Sequence, residues 1–178
     1  MANKSLFHVS DCGDIQTFIP RVSPQYSCGI TEPVVWAIDA AHLANYLLPR
    51  DCPRVAFRAA VDTTDDDRDK FLSATSQAVV AIEAAWFGHV LTSTLYVYEF
   101  SSSGFGCVDE SAGYFISKEI VSPVCVIHVT DIFSALLAQG VELRVLPNLQ
   151  HLARSVSAST LVFSCIRMRN AADVAHAK

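Results

Sequence analysis

No apolar run in the chain approaches the roughly 18 residues that span a bilayer. Residues 1–13 lack both the continuous apolar segment and the small-residue cleavage site of a secretory signal. These absences lead us to expect a soluble, cytoplasmic protein without a membrane partner. Charge is scarce as well: 17% of residues are Asp, Glu, Lys or Arg, the formal net charge is -5 and the pI is about 5.6. Nucleic-acid binders usually carry a basic face, because neutralising phosphates supplies much of their affinity. Here the densest charge run, Asp65 to Asp67, is acidic, which argues against DNA as a partner. A local basic groove made by Arg21, Arg50 and Arg54 stays open.

Reaction signatures are missing too. There is no G-x-S-x-G elbow, no G-x-x-x-x-G-K-[ST] loop and no G-x-G-x-x-G turn, which excludes the usual hydrolase, P-loop and dinucleotide signatures. The six cysteines form no C-x-x-C pair and have no histidine at zinc-ligand spacing, so neither a metal nor a disulfide framework is expected. Cys125 and Cys165 lie in apolar segments and read as small core hydrophobes, and Cys52 as an inert thiol among prolines. Repeats, low-complexity tracts and linkers are also absent, so the expectation is one domain over 1–178 with an ordered core at about 5–170.

What is present is apolar: 51% of the residues are hydrophobic, in a chain of 178. That length can bury about two-thirds of the unfolded surface. Short apolar runs bounded by turn residues read as strands at Leu6 to Val9, Val34 to Ile38 and Arg54 to Ala60, then at Leu91 to Phe100, Gly113 to Ser117, Cys125 to Val129 and Val141 to Leu146. A proline- and glycine-bearing loop fills 20–33, and Ser101 to Gly106 reads as a flexible turn. Asp39 can cap a short helix through Ala40 to Tyr46. Thr63 or Thr64 can cap a long one, with Asp65 to Asp67 at its positive end and Phe71, Leu72, Val79, Ile82 and Trp86 as its buried face, stopping at Gly88. Asp131 caps Ile132 to Gln139, which Gly140 terminates; Asn148 to Ser155 reads as helical, Leu161 to Arg167 fits either state, and Ala171 to Lys178 should fray. Runs of strands with few helices give an α+β fold with a mainly antiparallel, twisted sheet, one long helix and several short ones.

Polar residues able to hold a ligand cluster near the start of the chain. His8 sits mid-strand in Leu6-Phe7-His8-Val9-Ser10, with Ser10 on the same face. It reads either as a histidine satisfied by a backbone carbonyl or as a donor on a cleft wall. Glu119, between two strand segments, is either a solvated turn residue or a carboxylate at a cleft edge, able to hold a ribose hydroxyl or stabilise an oxocarbenium-like state. Arg50 and Arg54 flank Asp51 in Pro49-Arg50-Asp51-Cys52-Pro53-Arg54-Val55, either as a rigid turn or as an oxyanion clamp. Trp36 and Tyr46 are either core aromatics or stacking platforms for a base or nicotinamide.

In this order the motifs resemble the ADP-ribosyltransferase-like fold, which includes bacterial transferases and RNA 2'-phosphotransferases. Leu6-Phe7-His8-Val9-Ser10 matches its apolar-aromatic-His-x-Ser/Thr strand, Val34-Val35-Trp36-Ala37-Ile38 and Ala40 to Tyr46 its next strand and helix, and Glu119 its late glutamate. Trp36 stands where that group usually has tyrosine, and Glu119 falls near a strand boundary. The resemblance implies NAD as cofactor, with His8 and Ser10 on the ribose, Trp36 and Tyr46 around the nicotinamide, and Arg21 or Arg50 on phosphate. Glu119, with His8, would be catalytic in an ADP-ribosyltransferase or NAD glycohydrolase. The chain also resembles, over a longer span reaching Ile166-Arg167-Met168-Arg169-Asn170, an uncharacterised bacterial family with H-x-S, W-A-I-D and P-R-D-C-P-R-V motifs. The alternatives to an NAD enzyme are a non-catalytic module for a small anionic ligand and an RNA 2'-phosphotransferase-like enzyme.

Overall fold

The computed structural model describes residues 4–23 and 29–173. Cys28, the middle of the proline loop and the chain beyond Asp173, where fraying was expected, lie outside the described residues. The chain falls into two compact units, one from residues 1–46 and 94–130 and one from 47–93 and 131–178. The fold is α+β.

The first unit is an antiparallel sheet of β1 (Ser5–Ser10), β2 (Val35–Asp39), β5 (Leu95–Ser101), β6 (Gly106–Asp109), β7 (Tyr114–Ser117) and β8 (Cys125–Val129). Their spatial order is β6-β7-β2-β1-β5-β8. Leu6 pairs with Phe100 and Asp39, and His8 with Tyr98. Because strand side chains alternate, Leu6, His8, Ser10, Ala37, Tyr98 and Phe100 share one face. Phe7, Trp36, Ile38 and Tyr114 share the other. The first face builds a core of Leu6, Phe18, Val35, Ala37, Tyr98 and Phe100, each large side chain contributing about 1.5–3 kcal/mol by leaving water. A 3₁₀ helix, Ala40–Tyr46, follows β2, and Asp39 caps it by accepting the His42 N–H at 3.0 Å.

The second unit holds β3 (Arg54–Arg58), β4 (Ala78–Glu83), β9 (Val141–Leu146) and β10 (Val162–Ile166), in the order β10-β3-β4-β9. Its helices are α1 (Asp65–Phe71), α2 (Ala84–Thr92), α3 (Ile132–Ala138) and α4 (Gln150–Ser157). Local chemistry sets the starts of α1 and α3. Thr64 Oγ1 accepts the Asp67 N–H and Asp131 Oδ1 the Ser134 N–H, both as the caps required.

The single long helix expected over 65–88 is instead a helix, a strand and a second helix. Helical spacing of Phe71, Leu72, Val79 and Ile82 is real, and all four are buried. The run Val79-Val80-Ala81-Ile82, however, has no polar face, and its β-branched residues suit a strand buried on both sides. β4 takes the interior of the sheet, antiparallel to β3 and parallel to β9. Gly88 lies inside α2 instead of ending it, so the following strand begins at Leu95 and not Leu91. The flexible turn expected to end at Gly106 gives way there to β6. Cys125 and Cys165 are exposed, not core, because β8 and β10 are edge strands.

At the end of β4, Glu83 is only 2% exposed. Its carboxylate accepts the Leu149 N–H at 3.2 Å, at the start of α4, and the Ala172 N–H at 3.0 Å. Negative charge at a helix N-terminus is favourable, and two otherwise unbonded amides are satisfied together. Glu83→Ala should therefore lower the unfolding free energy by about 2–3 kcal/mol in urea titration, with Glu83→Gln recovering part of the loss. An unchanged midpoint for the alanine variant would refute this role.

Candidate functional site

Strand directions in the first unit bring most of the expected ligand-holding residues to one end of its sheet. β1 finishes there with His8 and Ser10. β2 runs the other way and starts there, and β7 finishes there, since Val35 pairs with Ser117. Glu119 follows two residues beyond that pair. Between these ends passes a strap, residues 11–22, whose backbone bridges Val121 through Phe18 and Val34 through Arg21. Phe18 inserts its ring beside His8, Tyr98 and Phe100, each at 5.0 Å between centroids. The Tyr98 hydroxyl donates to the Cys12 carbonyl at 2.8 Å and accepts the Ile15 N–H at 3.1 Å, pinning the strap's first half. Gly13 is required here, because a Cβ would collide with the Tyr96 ring.

The groups differ in how far the fold has already used them. His8 Nδ1 lies 3.0 Å from the Trp36 carbonyl, where the β1–β2 register, last paired at Phe7 and Ile38, has opened. The bonded nitrogen is the donor, since a carbonyl only accepts. Ser10 is 3% exposed, and its hydroxyl accepts the Cys12 N–H at 3.1 Å. Arg21 and Glu119 are exposed, and neither the guanidinium nor the carboxylate meets a hydrogen-bond or ion-pair partner among the described residues. Lys118, next to Glu119, pairs with Glu32 at 2.7 Å.

Trp36 and Tyr46 are not with His8. The Trp36 ring packs edge-on against Tyr114 at 5.8 Å, and Tyr114 shares a 2.7 Å hydroxyl contact with Tyr46. This aromatic group occupies the face opposite His8, and the Trp36 indole N–H is buried without an acceptor among the described residues. One ligand lying on the His8 face therefore does not stack on Trp36.

Arg50 belongs to the second unit, where the Pro49-to-Val55 segment is a turn tied internally. Arg54 is 3% exposed and donates through Nη1 to the Pro49 and Cys52 carbonyls at 3.0 and 2.9 Å. The Arg50 and Asp51 carbonyls accept from Arg167 Nε at 3.2 Å and Asn170 Nδ2 at 2.7 Å. Arg167 adopts φ 55°, a left-handed conformation uncommon away from glycine. The two most recognisable strings of the chain, P-R-D-C-P-R-V and I-R-M-R-N, thus hold each other.

The chain belongs to the DUF6886 family. The match to this family of unknown function covers residues 7–171, in line with the expected domain of unknown function. No curated protein and no solved structure matches the chain. Within this DUF6886 domain, no group of three or more His, Cys, Asp or Glu residues is placed to hold a metal among the described residues. No helix of the described residues is long and apolar enough to cross a membrane. The second unit also carries an open apolar cleft of about 650 Å³, lined by Phe87, Phe133, Leu137 and Val145 together with Ser73 and Thr75. None of the ligand-holding residues expected from the sequence lines it.

One group with site-like geometry escaped the sequence reading. Asp39 and His42 form a buried pair, His42 Nδ1 lying 2.6 Å from Asp39 Oδ1, with Lys4 Nζ 3.5 Å from the other oxygen. Gly113 backs onto the pair so closely that a Cβ would strike His42. The D-x-x-H spacing of a capped helix was the available signal. Burial pushes the Asp39 carboxyl up, but the His42 hydrogen bonds and the His42 and Lys4 charges outweigh it and hold it below its ordinary 3.8. A carboxylate with a lowered folded-state pKa stabilises the fold above its unfolded value and loses that stabilisation as the pH falls toward the lowered one. Asp39→Asn should therefore flatten the fall in stability as pH drops through and below 3.8, measured by urea unfolding at a series of pH values. A fall as steep as wild type would refute the linkage.

Cys52 is fully buried, and its thiol is pushed up to about 11, by burial first and by Glu83, against the Arg54 charge. Thiolate is the reactive form, so Cys52 should resist a thiol reagent at neutral pH until the protein unfolds. Exposed Cys12 and Cys107 should react at once. Peptide mapping of the labelled sites decides this, and rapid labelling of Cys52 in the folded protein would refute it.

Proposed function

We propose that this protein is a binding module for a small anionic ligand of nucleotide type, held at the end of the six-stranded sheet where β1 finishes. The observation that supports the reading is the Arg21 guanidinium, exposed and without a partner among the described residues, on a strap whose backbone is fixed by its bridge to Val34. A guanidinium takes phosphate or carboxylate through two parallel hydrogen bonds. A main chain already ordered reduces what binding must immobilise. Glu119, leaving the same end of the sheet, offers an acceptor for a ribose hydroxyl.

A catalytic reading, as an ADP-ribosyltransferase-like enzyme or NAD glycohydrolase, draws on that same Glu119. Its exposed, unpaired carboxylate is the group such chemistry needs to stabilise an oxocarbenium-like ribose as the nicotinamide bond breaks. It stands second because the aromatic pair assigned to the nicotinamide, Trp36 and Tyr46, lies on the face away from His8. An RNA 2'-phosphotransferase-like reading is weaker still. It needs several basic side chains in one cleft, and Arg54 is spent on backbone carbonyls.

Thermal-shift measurements with NAD, ADP-ribose and inorganic phosphate test the proposal. At least one should raise the melting temperature of the wild type, and Arg21→Ala should abolish the rise while leaving the ligand-free melting temperature unchanged. No response to any of the three would overturn it. Nicotinamide release from NAD, followed by chromatography and lost in Glu119→Gln, would promote the catalytic reading. Stabilisation without release keeps the binding module.

A further inference from the structure

We infer that the free edge of β8 is a self-association surface, through which two copies of this chain join their six-stranded sheets antiparallel. β8, Cys125-Val126-Ile127-His128-Val129, closes one side of the sheet and pairs only with β5 among the described strands. Such an edge presents unpaired N–H and C=O groups that another strand can take up. Proteins that stay monomeric usually blunt it with lysine, an inward charge, a bulge or a covering element. β8 has no charged side chain, and its apolar residues are exposed on both faces, Val126 at 37% and Ile127 at 48% on alternate sides, with Val124 just before them at 69%.

The sequence around this edge suits a second copy in particular. Residues 124–130 contain no Asp, Glu, Lys or Arg, so two antiparallel copies bring no like charges together. The residues that bound the segment, Pro123 and Asp131, are equally distant from Ile127. A two-fold axis at Ile127 therefore sets Cys125 against Val129, Val126 against His128, and each Pro123 against an Asp131. Proline, which donates no hydrogen bond, ends the ladder at the same point on both strands. This is the self-complementary contact that a two-fold dimer requires.

Sedimentation and light scattering on the full chain test the proposal. The wild type should show a mass of about twice 19.4 kDa at micromolar concentration, and Ile127→Lys, which sets two like charges across the axis, should return it to the monomer. Ile127→Cys supplies a test that does not depend on the lysine variant folding. Residues facing each other on the axis have Cα atoms about 4.5–5.5 Å apart, within disulfide range. Mild oxidation should therefore yield a dimer in which peptide mapping finds residue 127 joined to itself, while Val61→Cys, fully exposed in the other unit, should give none. A monomeric wild type, an assembly larger than a dimer, a lysine variant that folds and stays dimeric, or no 127–127 disulfide would each overturn the pairing.

Discussion

The candidate site depends on one insertion, the Phe18 ring beneath the strap of residues 11–22. Phe18 is 3% exposed and meets His8, Tyr98 and Phe100 at the same centroid distance. The edge-on contacts with Tyr98 and Phe100 each add about 0.5–1.5 kcal/mol beyond area burial. Its backbone is equally committed, donating to the Val121 carbonyl at 2.7 Å and accepting from the Val121 N–H at 3.0 Å. Three residues later Arg21 repeats the device with Val34. One apolar side chain thereby fixes the strap from which an exposed guanidinium emerges, and its backbone ties the segment that follows Glu119 to that strap. Removal of the ring would leave each polar group intact and free the strap that arranges them.

The second unit reaches rigidity through buried charge instead. Arg54 and Glu83 are both nearly inaccessible, and each is satisfied by backbone groups. An isolated buried charge would cost several kcal/mol. Hydrogen bonds to backbone groups make these two into ties: Arg54 shapes the turn before β3, and Glu83 secures the start of α4 and the segment at Ala172. The same environment keeps the Cys52 thiol protonated, so a cysteine in a conspicuous motif is removed from reactivity by its neighbours.

Local chemistry made much of this legible in advance. The caps at Thr64, Asp131 and Asp39, the stop at Gly140 and the strands around Leu6, Val35, Tyr114 and Val141 follow from residues within a turn or two of themselves. The failures share a different cause. Whether Val79 to Ile82 is helix or strand is decided by β3 and β9, which pair with it from distant parts of the chain. Whether Cys125 and Cys165 are core or surface is decided by β8 and β10 being the last strands of their sheets, which no short window contains. Strand alternation placed His8 with Ser10 correctly. It could not place Trp36, because the face of β2 relative to β1 follows from register, and Phe7 opposite Ile38 sends the indole to the far side.

The list of ligand-holding residues shortens for the same reason. A side chain that looks chemically capable in sequence is equally capable of satisfying the backbone, and a folded chain leaves few buried polar groups unpaired. His8 is bonded to the Trp36 carbonyl, Ser10 to the Cys12 amide and Arg54 to two carbonyls of its own turn. Arg21 and Glu119 keep their polar side chains uncommitted while their neighbours are fixed by the bridges of Arg21 to Val34 and Phe18 to Val121. Recognition needs both properties at once, an ordered anchor and an unspent donor or acceptor. That conjunction, more than the match of any motif, is why this end of the sheet carries the functional proposal.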